Sequence, residues 1–163
     1  MIRRGGTALW ILGGAGLLVL LGVIGVRSVG HDPGRWHVDP LAAERTGRPN
    51  DALVLPPGRD GADIESPVFS MTPAELAQAF HAVALDAPRT ALIAGGPGEA
   101  FATYVQRSAW IGWPDYISAR AVAAEGGAAL AIWSRARFGY GDLGVNRARV
   151  ARWLARLEER AGG

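Results

Sequence analysis

Three regimes of hydrophobic patterning divide the chain. Met1-Ile-Arg-Arg leads into an uncharged apolar run from Thr7 to Val26, which Arg27 closes. At about 1.5 Å per residue this run matches the roughly 30 Å hydrocarbon core of a bilayer, so residues 7–26 are expected to form one transmembrane helix. The rival reading is a cleaved signal peptide, whose apolar region is usually about 7–15 residues and ends at a small-residue cleavage site. The longer run and the poor cleavage match at Gly25-Val-Arg-Ser-Val-Gly30 favour an uncleaved anchor, residues 1–27. Arg3, Arg4 and the terminal amine precede the span, and Arg27 and Arg35 follow it. The positive-inside rule then places the N-terminus in the cytoplasm and the domain on the outer side of the membrane.

The second regime, residues 28–65, is rich in Pro, Gly, Asn and Asp, with short apolar pieces at Trp36-His-Val38 and Ala52-Leu-Val-Leu55. It reads as an extended linker, partly packed on the domain, because those side chains would be costly to leave in water.

The third regime, residues 66–163, alternates strand and helix signals. Ser66-Pro-Val-Phe69 predicts a short strand. Thr72-Pro-Ala-Glu75 predicts a helix start, with Thr72 and Glu75 as a capping box and Pro73 in the first turn. Leu76, Ala79, Phe80 and Val83 mark its buried face, and the helix should stop near Asp86. Four strands follow, near 89–94, 99–108, 116–123 and 128–137, with turns at Gly95-Gly-Pro-Gly98 and Glu125-Gly-Gly127. In the last strand Leu130 and Ile132 point one way, and Trp133, Arg135 and Arg137 the other. A final helix over about 146–160 turns Val150, Trp153, Leu154 and Leu157 inward. The expected fold is α+β: an antiparallel sheet of about five strands in the order strand, helix, four strands, helix, with both helices on one face.

Charge and composition remove several function classes. Net charge is +2, yet residues 1–27 hold three arginines and no acid, while residues 28–163 hold fourteen arginines against fifteen acids. A nucleic-acid binder needs a basic face as well as a basic total, so no nucleic-acid partner is expected. The chain has no cysteine, which excludes disulfides, thiolate metal sites and a cysteine nucleophile. The three histidines have neither H-x-H nor H-E-x-x-H spacing, and neither a G-x-S-x-G elbow nor a Walker loop is present. No catalytic residue, metal or cofactor is expected. Gly139-Tyr-Gly-Asp-Leu-Gly144 fits G-x-G-x-x-G, but no second strand follows the helix to complete a parallel βαβ unit, so it reads as a glycine-rich turn.

Two groups of residues stand out as candidate sites. Arg107, Arg135 and Arg137 fall near one sheet end, Asp115 and Asp142 in the adjoining loops, and Arg147 and Arg149 in the first turn of the last helix, where the dipole disfavours cations. One reading is a structural ion-pair network, with Asp115, Asp142 and Asn146 holding the loops and Asp142 pairing Arg147 or Arg149. The other is a pocket for a small anion or lipid headgroup built from arginine forks and loop amides. An Asp115/Asp142 acid–base pair is weaker, since neighbouring arginines favour ionised carboxylates. The second group is aromatic. Trp110, Trp113, Tyr116 and Tyr140 read as core packing, as a bilayer-interface contact, or as a binding surface for a membrane-protein partner.

Several of these pieces together resemble one bacterial family, Domain of Unknown Function 1499. They are Trp36-His-Val-Asp-Pro40, Arg48-Pro-Asn-Asp51, Ser66-Pro-Val-Phe69, Tyr104-Val-Gln-Arg-Ser108, Pro114-Asp-Tyr116 and Ser134 to Arg149. Trp113 departs from the resemblance, standing where Phe is more usual. The resemblance implies a small envelope protein, often with an N-terminal membrane segment, and supplies no catalytic residues. The resulting expectation is a single-pass, non-catalytic binding domain anchored in a bacterial inner membrane and facing the periplasm, an accessory or interaction component of an envelope assembly.

Overall fold

The computed structural model describes residues 5–162, with the side chains of residues 5–9 and 11 outside the description. Among the described residues there are four α-helices: α1 (Gly5–Arg27), α2 (Pro33–Trp36), α3 (Pro73–Asp86) and α4 (Val145–Ala161). The strands are β1 (Asp51–Leu55), β2 (Ile64–Glu65), β3 (Thr90–Gly96), β4 (Phe101–Arg107), β5 (Pro114–Ala124) and β6 (Gly127–Ala136). They form one mixed sheet in the order β2-β1-β6-β5-β4-β3. The fold is therefore α+β, but with six strands instead of about five.

Both additional strands come from the segment read as linker. β1 pairs antiparallel with β6, matching Leu53 to Trp133, and β2 runs parallel to β1. The strand expected over 66–69 does not form. Pro67 has no N–H to give a ladder, and the segment reduces to a single bridge, Phe69 to Ala128. Ser66 takes up the slack: its Oγ accepts from the Leu130 N–H at 3.0 Å. Gly127 makes the bridge possible. Its φ is +151°, and a Cβ there would meet the Phe69 carbonyl oxygen at 2.0 Å.

The sheet is covered on both faces by different means. On one face α3 and α4 pack Leu76, Phe80, Val83, Val150, Trp153 and Leu157 against Tyr104, Ile117, Leu130 and Ile132. The capping box opens α3 as expected: Thr72 Oγ1 accepts from Glu75 N, and Glu75 Oε2 accepts from Thr72 N at 2.8 Å. On the other face residues 28–50 form a strap. Trp36 stacks on Tyr116 with ring centroids 3.8 Å apart, and Val38 and Leu41 pack near Leu53 and Trp133.

α1 differs from every other helix. Its described side chains from residue 12 to residue 22 are all exposed, including Leu17, Leu18, Val19, Leu20 and Leu21. Among the described residues no helix is long and apolar enough to cross a membrane. The span expected over 7–26 begins among side chains outside the description.

Candidate functional site

Strand alternation splits the expected arginine–aspartate cluster between the two faces of the sheet. Directly paired residues share a face, so the pairs Gln106–Asp115 and Asp115–Ala136 set one parity, and Val105–Tyr116 and Tyr116–Arg135 set the other. Asp115 and Ser134 therefore face α4. Arg107, Arg135 and Arg137 face the strap.

On the helix face Arg149 is the hub. Its Nη2 donates to Asp115 Oδ2 at 2.5 Å, its Nε to Gln106 Oε1, and its Nη1 to Ser134 Oγ and Asn146 Oδ1. Asn146 is fully buried, accepts from Ser134 Oγ at 2.6 Å and donates to Asn50 O and Asp142 Oδ2. Asp142 pairs neither Arg147 nor Arg149. It accepts from the Gly144 and Asn146 backbone N–H groups and the Asn146 side chain, which caps the start of α4 in place of a cation partner. Arg147 points to solvent, away from this network. Burial pushes the Asp115 carboxyl above its usual range, against the opposing pull of Arg149. Asp115 and Asp142 both line an open recess of about 340 Å³ with Trp113, Phe138 and Val145, yet each carboxylate is already tied to the fold.

On the strap face the arginines hold backbone. Arg107 Nη1 donates to Val26 O and Gly112 O, and its Nη2 donates to Val29 O and to His31 Nε2 at 3.0 Å. Since arginine offers no acceptor, His31 Nε2 must be unprotonated and Nδ1 carries the hydrogen, donated to Tyr116 Oη at 2.9 Å. Arg137 donates to Gly30 O at 2.7 Å and to Tyr116 Oη. Desolvation, then Arg107 and Arg137, hold the His31 pKa below its ordinary 6.5. Arg135, only 7 % exposed, lies 4.1 Å from the Trp133 ring and 5.6 Å from that of Trp36, and donates to Trp36 O at 2.5 Å. Burial lowers its pKa to about 10, so it stays cationic at neutral pH. Among the described residues none of these three arginines forms a salt bridge.

Beside them an open groove of about 470 Å³ is lined by Arg35, Arg48, Arg135, Arg137, Trp36, Trp133 and Phe138. Its one carboxylate, Asp51, is occupied by Arg45 and by Trp133 Nε1. Sequence reasoning missed Arg35 and Arg48, which lie in the linker. The signal available was Arg48-Pro-Asn-Asp51 leading into β1.

A family profile described as protein of unknown function, DUF1499, matches residues 42–157. The chain belongs to the DUF1499 family. No curated protein and no solved structure matches it. The match to DUF1499 runs from before β1 into the last turn but one of α4, and with it covers Arg48, Arg107, Arg135, Arg137 and Arg149. α1, Arg35 and Trp36 lie before the matched residues.

The four residues read as an aromatic interface divide. Tyr116 is fully buried, consumed by stacking on Trp36 and by its hydroxyl contacts. Trp110 is 90 % and Tyr140 74 % exposed, and Trp113 is partly exposed, with its ring 5.3 Å from Phe138. Among the described residues no group of three or more His, Asp or Glu could hold a metal ion.

Proposed function

We propose that this DUF1499 protein is a membrane-anchored, non-catalytic binding domain in the periplasm, acting as an interaction component of an envelope assembly. The observation that carries the reading is α1, whose leucines and valines from Leu12 to Leu21 are exposed around the helix. Water disfavours such a surface at roughly 25 cal/mol per Å², whereas lipid does not. Arg27, at the foot of the helix, donates to the Trp110 and Ile111 carbonyls, a tie between helix and domain that supports a domain held close to the bilayer. Crosslinking in intact cells, pull-down through a C-terminal tag and peptide identification test the assembly role. A near-stoichiometric membrane-protein partner supports it; recovery of the chain alone overturns it.

A second reading rests on Arg135 and Arg137, which lack carboxylate partners and line an arginine–tryptophan groove. There the domain binds a small anion bearing carboxylate or phosphate groups, with Arg137 as the available fork and Arg135 fixed beneath it. Arg137 Nη1 holds Gly30 O and Tyr116 Oη, leaving Nε and Nη2 for a ligand. Thermal shift with inorganic phosphate and citrate tests it: stabilisation in wild type that Arg137→Gln removes supports the groove, and no shift in wild type overturns it.

A further inference from the structure

We propose that the β4–β5 loop, residues 108–113, is a bilayer-docking surface that seats Trp110 in the interfacial layer and holds a lipid phosphate between Arg27 and Arg89. The inference rests on the membrane-anchor reading of α1. Three independent features converge on it.

The first is position. One nitrogen, Arg107 Nη1, donates both to Val26 O in the last turn of α1 and to Gly112 O in the loop. Arg27 lies across the same loop, donating to Ile111 O at 3.3 Å and Trp110 O at 2.9 Å. Gly112 permits this approach: its φ is +87°, and a Cβ would meet Arg27 Cγ at 2.9 Å. The apolar run ends at Val26, so Arg27 marks the edge of the hydrocarbon core. Headgroup regions add only about 5–8 Å on each side of that core. A loop hydrogen-bonded to the end of the span falls within that layer.

The second is exposure of the right side chains. Trp110 is 90 % exposed, and Ile111 and Trp113 are partly exposed beside it. Trp is the residue enriched at the bilayer interface, where its ring meets acyl chains and its N–H meets water. Nothing in the fold requires Trp110 to be apolar. Tyr140 and Leu143, in the β6–α4 loop, are exposed as well.

The third is charge. Arg27, Arg89 and Arg107 line one recess of about 360 Å³ with Ser108, Ala109 and Gly112, and among the described residues no carboxylate lines it. Arg107 is committed to four acceptors. Arg27 commits Nε and Nη2, and Arg89 donates only Nε, to Arg107 O. The remaining guanidinium N–H groups are available to a phosphate oxygen, and cations held this near a bilayer surface are drawn to anionic lipid.

The chain has no cysteine, so single cysteines can be placed in the full-length protein. Leu18→Cys, Ala109→Cys and Glu125→Cys are nitroxide-labelled and reconstituted into phosphatidylcholine vesicles with and without phosphatidylglycerol. Accessibility to oxygen and to a water-soluble nickel chelate is then read by power saturation. The expected result is label 18 in the acyl chains, label 125 in water, and label 109 shielded several-fold from nickel relative to label 125. Phosphatidylglycerol should deepen label 109, and the Arg27→Gln/Arg89→Gln variant should remove that response. Label 109 as accessible to nickel as label 125, with label 18 in lipid, overturns the docking surface while leaving the anchor standing. Label 18 in water overturns the anchor itself. An interfacial label 109 indifferent to lipid charge overturns the phosphate site. Should Ala109→Cys disturb the loop, bromolipid quenching lost between wild type and Trp110→Phe reads the same depth; equal quenching in the two overturns it.

Discussion

Replacing Arg149 by Met separates the structural arginines from the available ones. The side chain is almost fully buried and holds Asp115, Gln106, Ser134 and Asn146 together across β4, β5, β6 and α4. Met fills much of the space but leaves the Asp115 carboxylate, whose side chain is 14 % exposed, without its cation. Removing one partner of a buried pair costs about 3–5 kcal/mol, because the remaining charge is uncompensated. For a chain of this size that lowers Tm by about 6–20 °C. Asp115→Asn should cost less, about 1–3 kcal/mol, since Arg149 keeps three other acceptors. The double variant should recover at least half of the Arg149→Met loss, because no bare charge remains. Melting curves of the full chain in detergent, followed by tryptophan emission and circular dichroism, give all four corners of the cycle.

The same variant carries a pH signature. Burial already raises the Asp115 pKa while Arg149 opposes it. Without Arg149 the folded-state pKa climbs further above the unfolded value. A raised carboxyl pKa contributes stability at low pH that is lost as pH rises through the folded value. The deficit of Arg149→Met should therefore be largest at neutral pH and shrink on acidification. A loss below about 1 kcal/mol, strict additivity in the cycle, or a deficit that grows in acid would refute the buried-pair account.

Three further outcomes follow from particular contacts. The depressed His31 pKa means that stability is complete above the unfolded 6.5 and falls as pH drops through the folded value; His31→Gln should blunt that acid-side loss in a pH series of melts. His37, also lowered chiefly by burial, leaves a residual acid limb in that variant. Thr72→Ala removes the α3 capping box and should cost about 1 kcal/mol in denaturant unfolding. Gly127→Ala, which sets a methyl against the Phe69 carbonyl, should destabilise by more than that in the same assay and shift amide exchange in Phe69 and Ala128.

α3 and α4 were legible because their signals are local. Thr72, Pro73 and Glu75 lie within one turn, and Val150, Trp153, Leu154 and Leu157 repeat at helical spacing. β4, β5 and β6 were legible from alternation between glycine turns. β1 was not, because Ala52 to Leu55 is a short uniform apolar run inside a Pro- and Gly-rich stretch, and its pairing with β6 is non-local. The arginine cluster was visible as residues but not as contacts. Arg107 and Arg137 grip carbonyls at Val26, Val29 and Gly30, and a backbone acceptor leaves no mark on residue identity. The division of Asp115 from Arg135 depends on register, which a one-residue shift would reverse.

Membrane anchorage of the intact chain is the claim on which the proposed function and the docking surface both depend. Its most direct test is alkaline carbonate extraction of membranes from bacteria expressing the full chain, with the intact mass of the recovered protein. The account predicts that the protein stays in the membrane pellet with its N-terminal residues retained. Release into the supernatant, or a mass lacking the first helix, would contradict it.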